Sequence, residues 1–122
     1  MNIIFGDEKV KELKDKYTVL ELDTVRFTSS GTTVIVYAVV ENIPIDELPN
    51  LSFQKSLHEN LMINYRKRDW NFCKQAIENL IGAFGNEIDT FYVELQSRIN
   101  EYQQNDPGDD WDFTISKLDT SS

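Results

Sequence analysis

The chain has 122 residues, enough for one domain, and its 21 acidic and 12 basic side chains give a net charge of -9. This charge argues against nucleic acid as a partner, because neutralising phosphates requires clustered Lys and Arg. The single Cys excludes an internal disulfide and a multi-Cys zinc site, and the longest apolar run, residues 34–40, is too short to cross a membrane.

The first residues of the sequence indicate the cellular compartment of the protein. Residues 1–7 lack the basic start and the long apolar stretch of a signal peptide. We therefore expect a cytoplasmic protein with no membrane as a partner. The glycine-containing stretch 82–85 lacks the pattern that cradles phosphate, so no cofactor is predicted.

Residues 1–49 are predicted to form a β half. A short strand is expected over residues 2–5, followed by a short helix that Asp7 caps. Residues 18–27 read as a longer strand whose apolar parity changes near Asp23, which indicates a bulge.

The second long strand is the most apolar β-branched run in the chain. It covers residues 32–42 and follows turn residues at 28–31, so we expect an antiparallel hairpin whose second strand is central and covered on both faces. Pro44 and Pro49 cannot continue a ladder, and they predict a stiff, extended connector over residues 43–49.

Residues 50–105 are predicted to form a helical half with three helices. Ser52 is expected to cap the first helix and Asp69 the second, and the third covers about residues 87–102. The stripe expected to face inward on the first helix repeats every four residues and consists of Phe53, Leu57, Leu61 and Tyr65.

The remaining segment is an acidic tail. Residues 106–117 are expected to return to the sheet through a short strand at 111–115, and residues 118–122 to form a frayed end. The sequence therefore predicts a single α+β domain over residues 1–117, in which an antiparallel hairpin with a short helix packs on about three helices.

The negative charge is local. Residues 1–77 hold 11 acidic and 10 basic side chains, whereas residues 78–122 hold 10 acidic and 2 basic ones. The only metal-like feature is an aspartate cluster in the tail, since hard cations favour several carboxylates on a loop. Its members are Asp106, Asp109, Asp110 and Asp112. Their spacing does not match an EF-hand loop, and a solvated linker of turn-forming residues is the alternative.

Several motifs carry a resemblance to a known family. The first motif is Leu57-His58-Glu59-Asn60-Leu61, on a helix that ends near an aromatic residue. That aromatic residue and the following turn are Tyr65-Arg66-Lys67-Arg68-Asp69-Trp70. Cys73 or Ala76 would then be the small residue at which the next helix crosses the first. Arg98-Ile99-Asn100-Glu101-Tyr102 and Asp106-Pro107-Gly108-Asp109-Asp110-Trp111-Asp112 follow. Over residues 57–117 this order resembles the tetratricopeptide-like helical tail of bacterial adenylate and guanylate cyclases, whose catalytic domain is absent here. The whole chain is also similar to small uncharacterised proteins of marine bacteria and their tailed phages, which implies an origin and no activity.

The first functional hypothesis is a non-enzymatic protein-interaction or assembly module. Its candidate interaction surface is the basic turn with its neighbouring aromatic residues: Tyr65, Arg66, Lys67, Arg68, Trp70 and Trp111. The basic turn of one chain could meet the acidic third of a protein partner or of a second copy, so a homodimer is a natural hypothesis.

The second hypothesis is a small-ligand-binding protein or an enzyme. It requires His58, Tyr65 and the acidic tail to converge within a few ångströms on one concave site. His58 is the only imidazole, and Cys73 lies on an apolar helix face, where a thiol behaves as a small hydrophobe. Both side chains also have a purely structural interpretation, and the sequence leaves the two functions open.

Overall fold

The computed structural model describes residues 1–117, which form a four-stranded mixed sheet and four α-helices. The strands are β1 (Asn2–Phe5), β2 (Thr18–Phe27), β3 (Thr33–Val40) and β4 (Thr114–Lys117). The helices are α1 (Val10–Lys14), α2 (Leu51–Arg66), α3 (Trp70–Leu80) and α4 (Asp89–Gln104). Three strands precede the three long helices, which confirms the predicted α+β class. The frayed end predicted for residues 118–122 lies outside the described residues.

The sheet has the strand order β1-β3-β2-β4. The β2–β3 pair is the predicted antiparallel hairpin, and its register shifts between Glu21 and Thr24, where the sequence indicated a bulge. The tail returns to the sheet as predicted, but its strand begins at Thr114, three residues later than expected. It pairs in parallel with β2 from Thr24–Thr114 to Phe27–Lys117. Since β4 reaches only the second half of β2, no strand within residues 1–117 lies beside the first half on that side.

The core lies on both sides of the central strand β3. Ala38 and Val40 pack against the three long helices, whereas Tyr37 and Val39 pack against α1 and β2. Alternate residues of a strand point to opposite faces, so β3 is buried on both sides, as its continuous apolar sequence predicted. The larger core, on the helix side, positions the side chains discussed below.

Three local predictions at helix starts were wrong. The first helix begins at Val10 and not after Asp7, and no side chain caps it. The connector is extended only up to Pro44, since Ile45–Asn50 forms a 3₁₀ helix that leads directly into α2. As a result α2 begins at Leu51 without a side-chain cap, two residues earlier than a Ser52 cap allows. Asp69 does cap α3, and its carboxylate accepts from the Phe72 amide.

The inward stripe predicted for α2 is confirmed in its second half, where Leu61 and Tyr65 are buried, and is wrong at its start. Phe53 is 69% exposed, and the fully packed positions are His58, Leu61, Met62 and Tyr65. These residues follow the i, i+3, i+4, i+7 pattern of a helix that packs along one stripe. A strict spacing of four drifts around the helix, because four residues exceed one turn of 3.6.

Across residues 1–117, the helices are too short or too polar for any of them to span a lipid bilayer.

Candidate functional site

His58 is fully buried between α2, β2 and α4. Its Nε2 lies 2.6 Å from the Glu21 carbonyl oxygen, and its Nδ1 lies 2.8 Å from the Tyr92 hydroxyl. A carbonyl only accepts, so Nε2 carries the hydrogen and the Tyr92 hydroxyl donates to Nδ1. The Glu21 carbonyl belongs to the half of β2 that β4 does not reach, and the imidazole satisfies it in place of a strand. His58 is therefore a structural bridge.

Burial lowers the pKa of His58 below its usual value near 6.5, although the hydrogen bond to the Glu21 carbonyl opposes the shift. The neutral ring uses both nitrogens inside the protein, and none remains to exchange a proton with a ligand. A polar cavity of about 250 Å³ lies beside the ring, lined also by Lys14, Glu21, Tyr37 and Glu59. The imidazole forms part of the wall of that cavity, but it supplies no free acid or base there because both of its nitrogens are already hydrogen-bonded.

This arrangement predicts a pH dependence of stability. Between pH 6.5 and 5, the unfolded chain protonates His58 whereas the folded chain resists, because its pKa is lowered. The free energy of unfolding should therefore fall as the pH falls through this window, by up to about 1.4 kcal/mol per pH unit. Urea unfolding at a series of pH values measures it. His58→Gln should flatten the dependence above pH 5, and an unchanged slope in that variant would contradict the assignment.

Tyr65 does not lie on an interaction surface, so that prediction was wrong. Its side chain is 2% exposed, and its hydroxyl accepts from Arg98 at 3.4 Å. Burial raises the pKa of Tyr65 well above its ordinary value. Tyr65 does not line the polar cavity beside His58, so the structure does not bring together in one pocket the two residues that the enzyme hypothesis needed.

The predicted interaction residues meet one another inside the chain. Five rings form a continuous aromatic cluster, with centroids of neighbouring rings 4.9–6.1 Å apart. Its members are Tyr65, Trp70, Tyr102, Trp111 and Phe113. The cluster joins the turn between α2 and α3, the end of α4 and the returning tail.

Two arginines of the basic turn secure the same tail. Arg68 donates to the carbonyl oxygen of Gly108 at 2.6 Å and lies 5.1 Å from the centre of the Trp111 ring. Arg66 forms an ion pair with Glu21 and lies 5.5 Å from the Phe113 ring. The cations and aromatic residues of this motif therefore bind the tail of the same chain through Arg66 and Arg68. Of the three basic residues, only Lys67 is exposed to solvent.

Trp111→Ala should release the tail. The substitution removes the ring at the centre of the aromatic cluster, and we expect a loss of about 2–4 kcal/mol in unfolding free energy. Amide hydrogen exchange should accelerate most in β4, which depends on the tail for its position. Phe53→Ala is the matched control, because that ring is 69% exposed. Equal protection of β4 in the two variants would show that Trp111 does not anchor the tail.

The tail aspartates do not assemble as a metal centre. Asp106 pairs with Arg68, and Asp112 pairs with Arg26 at 2.7 Å. Hydrogen bonds from Thr114, followed by the Arg26 contact, lower the pKa of Asp112. Within residues 1–117, no three carboxylate, imidazole or thiol side chains are grouped to hold an ion. The two paired aspartates help to fix the tail.

Cys73 is fully buried in the larger core. Burial raises the pKa of its thiol to about 12, with a smaller contribution from Asp69. Because the thiolate is the reactive form, this cysteine is inert at neutral pH. The interpretation of Cys73 as a small core hydrophobe is confirmed.

One surface that the sequence analysis missed is an apolar groove. It lies between β1 and the first turns of α4, and we call it the β1–α4 groove. It has a volume of about 220 Å³, and its lining includes Ile3, Phe5, Val25, Val36, Phe91 and Glu94. Ile3 is 41% exposed and Phe5 is 56% exposed, so large apolar side chains stand open to solvent there.

The groove exists because the helices cover only part of one sheet face. Pairing places Ile3 opposite Ala38 and Phe5 opposite Val36, so both side chains point to the helix side of the sheet. There Ala38 is fully buried, whereas Phe5 stays 56% exposed although its ring centroid lies 6.0 Å from that of Phe27. The apolar run of residues 3–5 is the sequence signal for a strand here, but it does not reveal which of these side chains stay exposed, because that depends on where α4 lies.

Strand β1 also lies at the edge of the sheet and, among the described residues, pairs with β3 alone. The Gly6 amide donates to the Ile35 carbonyl at 2.8 Å, which fixes the register of the pair. Backbone groups alternate in an antiparallel ladder, so those of Ile4 point to β3 and those of Ile3 and Phe5 point away from it. The groove is thus bordered by an open row of donors and acceptors.

Comparison of the chain with protein-family models finds no match, and comparisons with curated proteins and with solved structures find none either.

Proposed function

We propose that this chain is a non-enzymatic protein-interaction module that docks a partner in the β1–α4 groove. One observation carries the proposal: Ile3 and Phe5 are exposed apolar side chains on an edge strand, beside a preformed groove of about 220 Å³. Contiguous exposed apolar surface next to unpaired backbone is a typical feature of protein-binding sites.

The resemblance of residues 57–117 to a tetratricopeptide-like tail supports the same class of function, since such hairpins are docking elements. The position of the site differs from the sequence hypothesis. The tail covers the α2–α3 turn through contacts of Trp111 with Arg68 and Trp70, so the turn is not free to bind a partner. The β1–α4 groove, in contrast, is open.

The enzyme alternative has less support from the geometry. His58 has both ring nitrogens bonded within the protein, and burial raises the pKa of the Tyr65 and Cys73 side chains. Groups held in this way neither donate nor accept protons readily near neutral pH.

Selection of a random peptide library against the immobilised chain tests the proposal. We expect enriched peptides to bind the unmodified chain and to lose about tenfold in affinity for Phe5→Ser, because burying part of a Phe ring contributes about 1.4 kcal/mol. Phe53→Ser is the matched control, since Phe53 is a more exposed ring outside the groove. Failure to enrich any peptide, or enrichment of peptides that bind Phe5→Ser as tightly, would overturn the proposal.

A further inference from the structure

We infer that the partner is an extended segment with apolar residues at alternate positions and Lys or Arg between them, which adds to β1 as a fifth strand. This inference rests on the proposed function of the β1–α4 groove and specifies its partner. It follows from three properties of the site, namely its backbone groups, its apolar surface and its charge.

The backbone groups favour a strand over a helix. Ile3 and Phe5 each direct one N–H and one C=O away from β3, as the Gly6–Ile35 hydrogen bond requires. A helix uses its own backbone groups internally and could satisfy none of the four. An added strand satisfies them in register, which is the mode of recognition by strand addition to a sheet edge.

The apolar surface selects the side chains of that strand. Successive residues of a strand point to opposite faces, so every second side chain of the partner would lie on the helix side, beside Ile3 and Phe5. The groove continues there towards Phe91 of α4, which is 7% exposed, and Val36 of β3, which is 8% exposed. Branched apolar side chains at alternate positions would cover this surface.

The charge around β1 selects basic residues. The groove lining includes the carboxylates of Asp23 and Glu94 and no Lys or Arg side chain among the described residues. The one cation among those lining residues is the terminal ammonium of Met1, which a further carboxylate, that of Glu87, pairs with. Arg98 pairs with Asp23 and approaches Glu94 at 3.3 Å, but the Glu94 side chain remains 65% exposed. At the start of β1, the exposed Glu41 accepts from the Asn2 side chain at 2.6 Å. A strand added to β1 would therefore pass beside carboxylates.

The same charge disfavours a second copy as the occupant. Pairing of β1 with β1 about a twofold axis would bring the groove carboxylates of both chains to one interface. Residues 78–122, which include α4, carry 10 acidic and 2 basic side chains in each copy. Like charges brought together at an interface cost free energy, whereas a basic partner gains from the same field.

A synthetic peptide tests the inference on the full chain. The probe is a capped nine-residue peptide with Val at alternate positions and Lys between them, and the control peptide has Glu in place of Lys. We expect the Lys peptide to bind at least tenfold more tightly than the Glu peptide in calorimetric titration, and its affinity to fall as NaCl is raised. Glu94→Gln should reduce this preference.

Two variants of one residue separate strand addition from simple apolar contact. Ile3→Pro removes an N–H that points away from β3, so the β1–β3 ladder keeps its hydrogen bonds, as edge strands permit. Ile3→Thr also shortens the apolar side chain but keeps the N–H. Once circular dichroism has shown both variants to be folded, we expect Ile3→Pro to bind the Lys peptide at least tenfold more weakly than Ile3→Thr.

Other results would overturn the inference. Equal affinity of the two Ile3 variants would exclude strand addition, as would tighter Phe5-dependent binding of an amphipathic helical peptide, and either result leaves the proposed function intact. Concentration-dependent dimers in light scattering that Ile3→Pro abolishes would identify a second copy as the occupant. If no peptide of any type binds in a Phe5-dependent manner, the inference and the proposed function both fail.

Discussion

Replacing Arg98 by Met should destabilise the chain by about 3–5 kcal/mol, the largest effect that we expect from a single substitution. Arg98 binds both carboxylate oxygens of Asp23, at 3.0 and 3.1 Å, and the two side chains are only 16% and 14% exposed. Without the guanidinium, the Asp23 carboxylate stays buried at the bulge of β2 without its charge partner. Removing one member of a buried ion pair typically has a cost of this size.

Chemical denaturation measures the Arg98 effect, and the chain offers a matched control. Arg26 also pairs with an aspartate, Asp112, but those side chains are 46% and 53% exposed. Solvent screens such a pair, so Arg26→Met should leave the unfolding free energy nearly unchanged. The double variant Arg98→Met, Asp23→Leu should recover much of the loss, because it removes both buried charges. Equal losses for the Arg98 and Arg26 variants would contradict the assignment.

Replacing His58 by Leu should lower the unfolding free energy by about 3 kcal/mol at pH 8. A Leu side chain fills similar volume but leaves the Glu21 carbonyl and the Tyr92 hydroxyl buried without this partner. Each unsatisfied buried polar group costs about 1–3 kcal/mol. The first half of β2, beside which the described part of the chain places no strand on the β4 side, should lose its attachment to α2.

A graded variant checks the His58 bridge. Tyr92→Phe removes only the hydrogen bond to Nδ1 and should cost about 1–2 kcal/mol, while the bond from Nε2 to Glu21 persists. Urea denaturation at pH 8, where the imidazole is neutral in both states, gives both values. If His58→Leu proves as stable as the unmodified chain, the imidazole does not hold β2 to α2 and α4.

Local sequence patterns predicted the β2–β3 hairpin well, because its two strands are consecutive in the chain. Alternation identified the β2–β3 hairpin, the parity change near Asp23 located the bulge, and the continuous apolar run of β3 indicated burial on both faces. The helix starts were less predictable. The 3₁₀ helix after Pro44 leads directly into α2, so Ser52 lies inside a helix and has no helix start to cap.

The candidate site could not be predicted in the same way, because it depends on what the chain leaves uncovered. A cationic turn among aromatic residues looks like a binding surface until the tail returns to fill it, as Arg68 and Trp111 show. His58 resembles a candidate base until its partners, the Glu21 carbonyl and Tyr92, are known. Conversely, Ile3 and Phe5 look like ordinary core residues, and only the position of α4 leaves them exposed.

The fold shows where the acidic residues of the C-terminal third lie. Asp106 and Asp112 of the tail are engaged by arginines of the same chain, so they contribute to holding the tail in place. Glu94 of α4 lies at the groove and remains 65% exposed. The acidic third therefore has two roles in this account: its tail carboxylates stabilise the fold, and Glu94 favours a basic partner at β1.

Amide hydrogen exchange of the full chain saturated with the Lys peptide tests the docking site most directly. The account predicts that the amides of Ile3 and Phe5, which point away from β3, gain protection by at least tenfold, while those of the α2–α3 turn are unchanged. Protection confined to residues 66–70, or no protection at Ile3 and Phe5, would contradict the central claim that partners dock at the edge of β1.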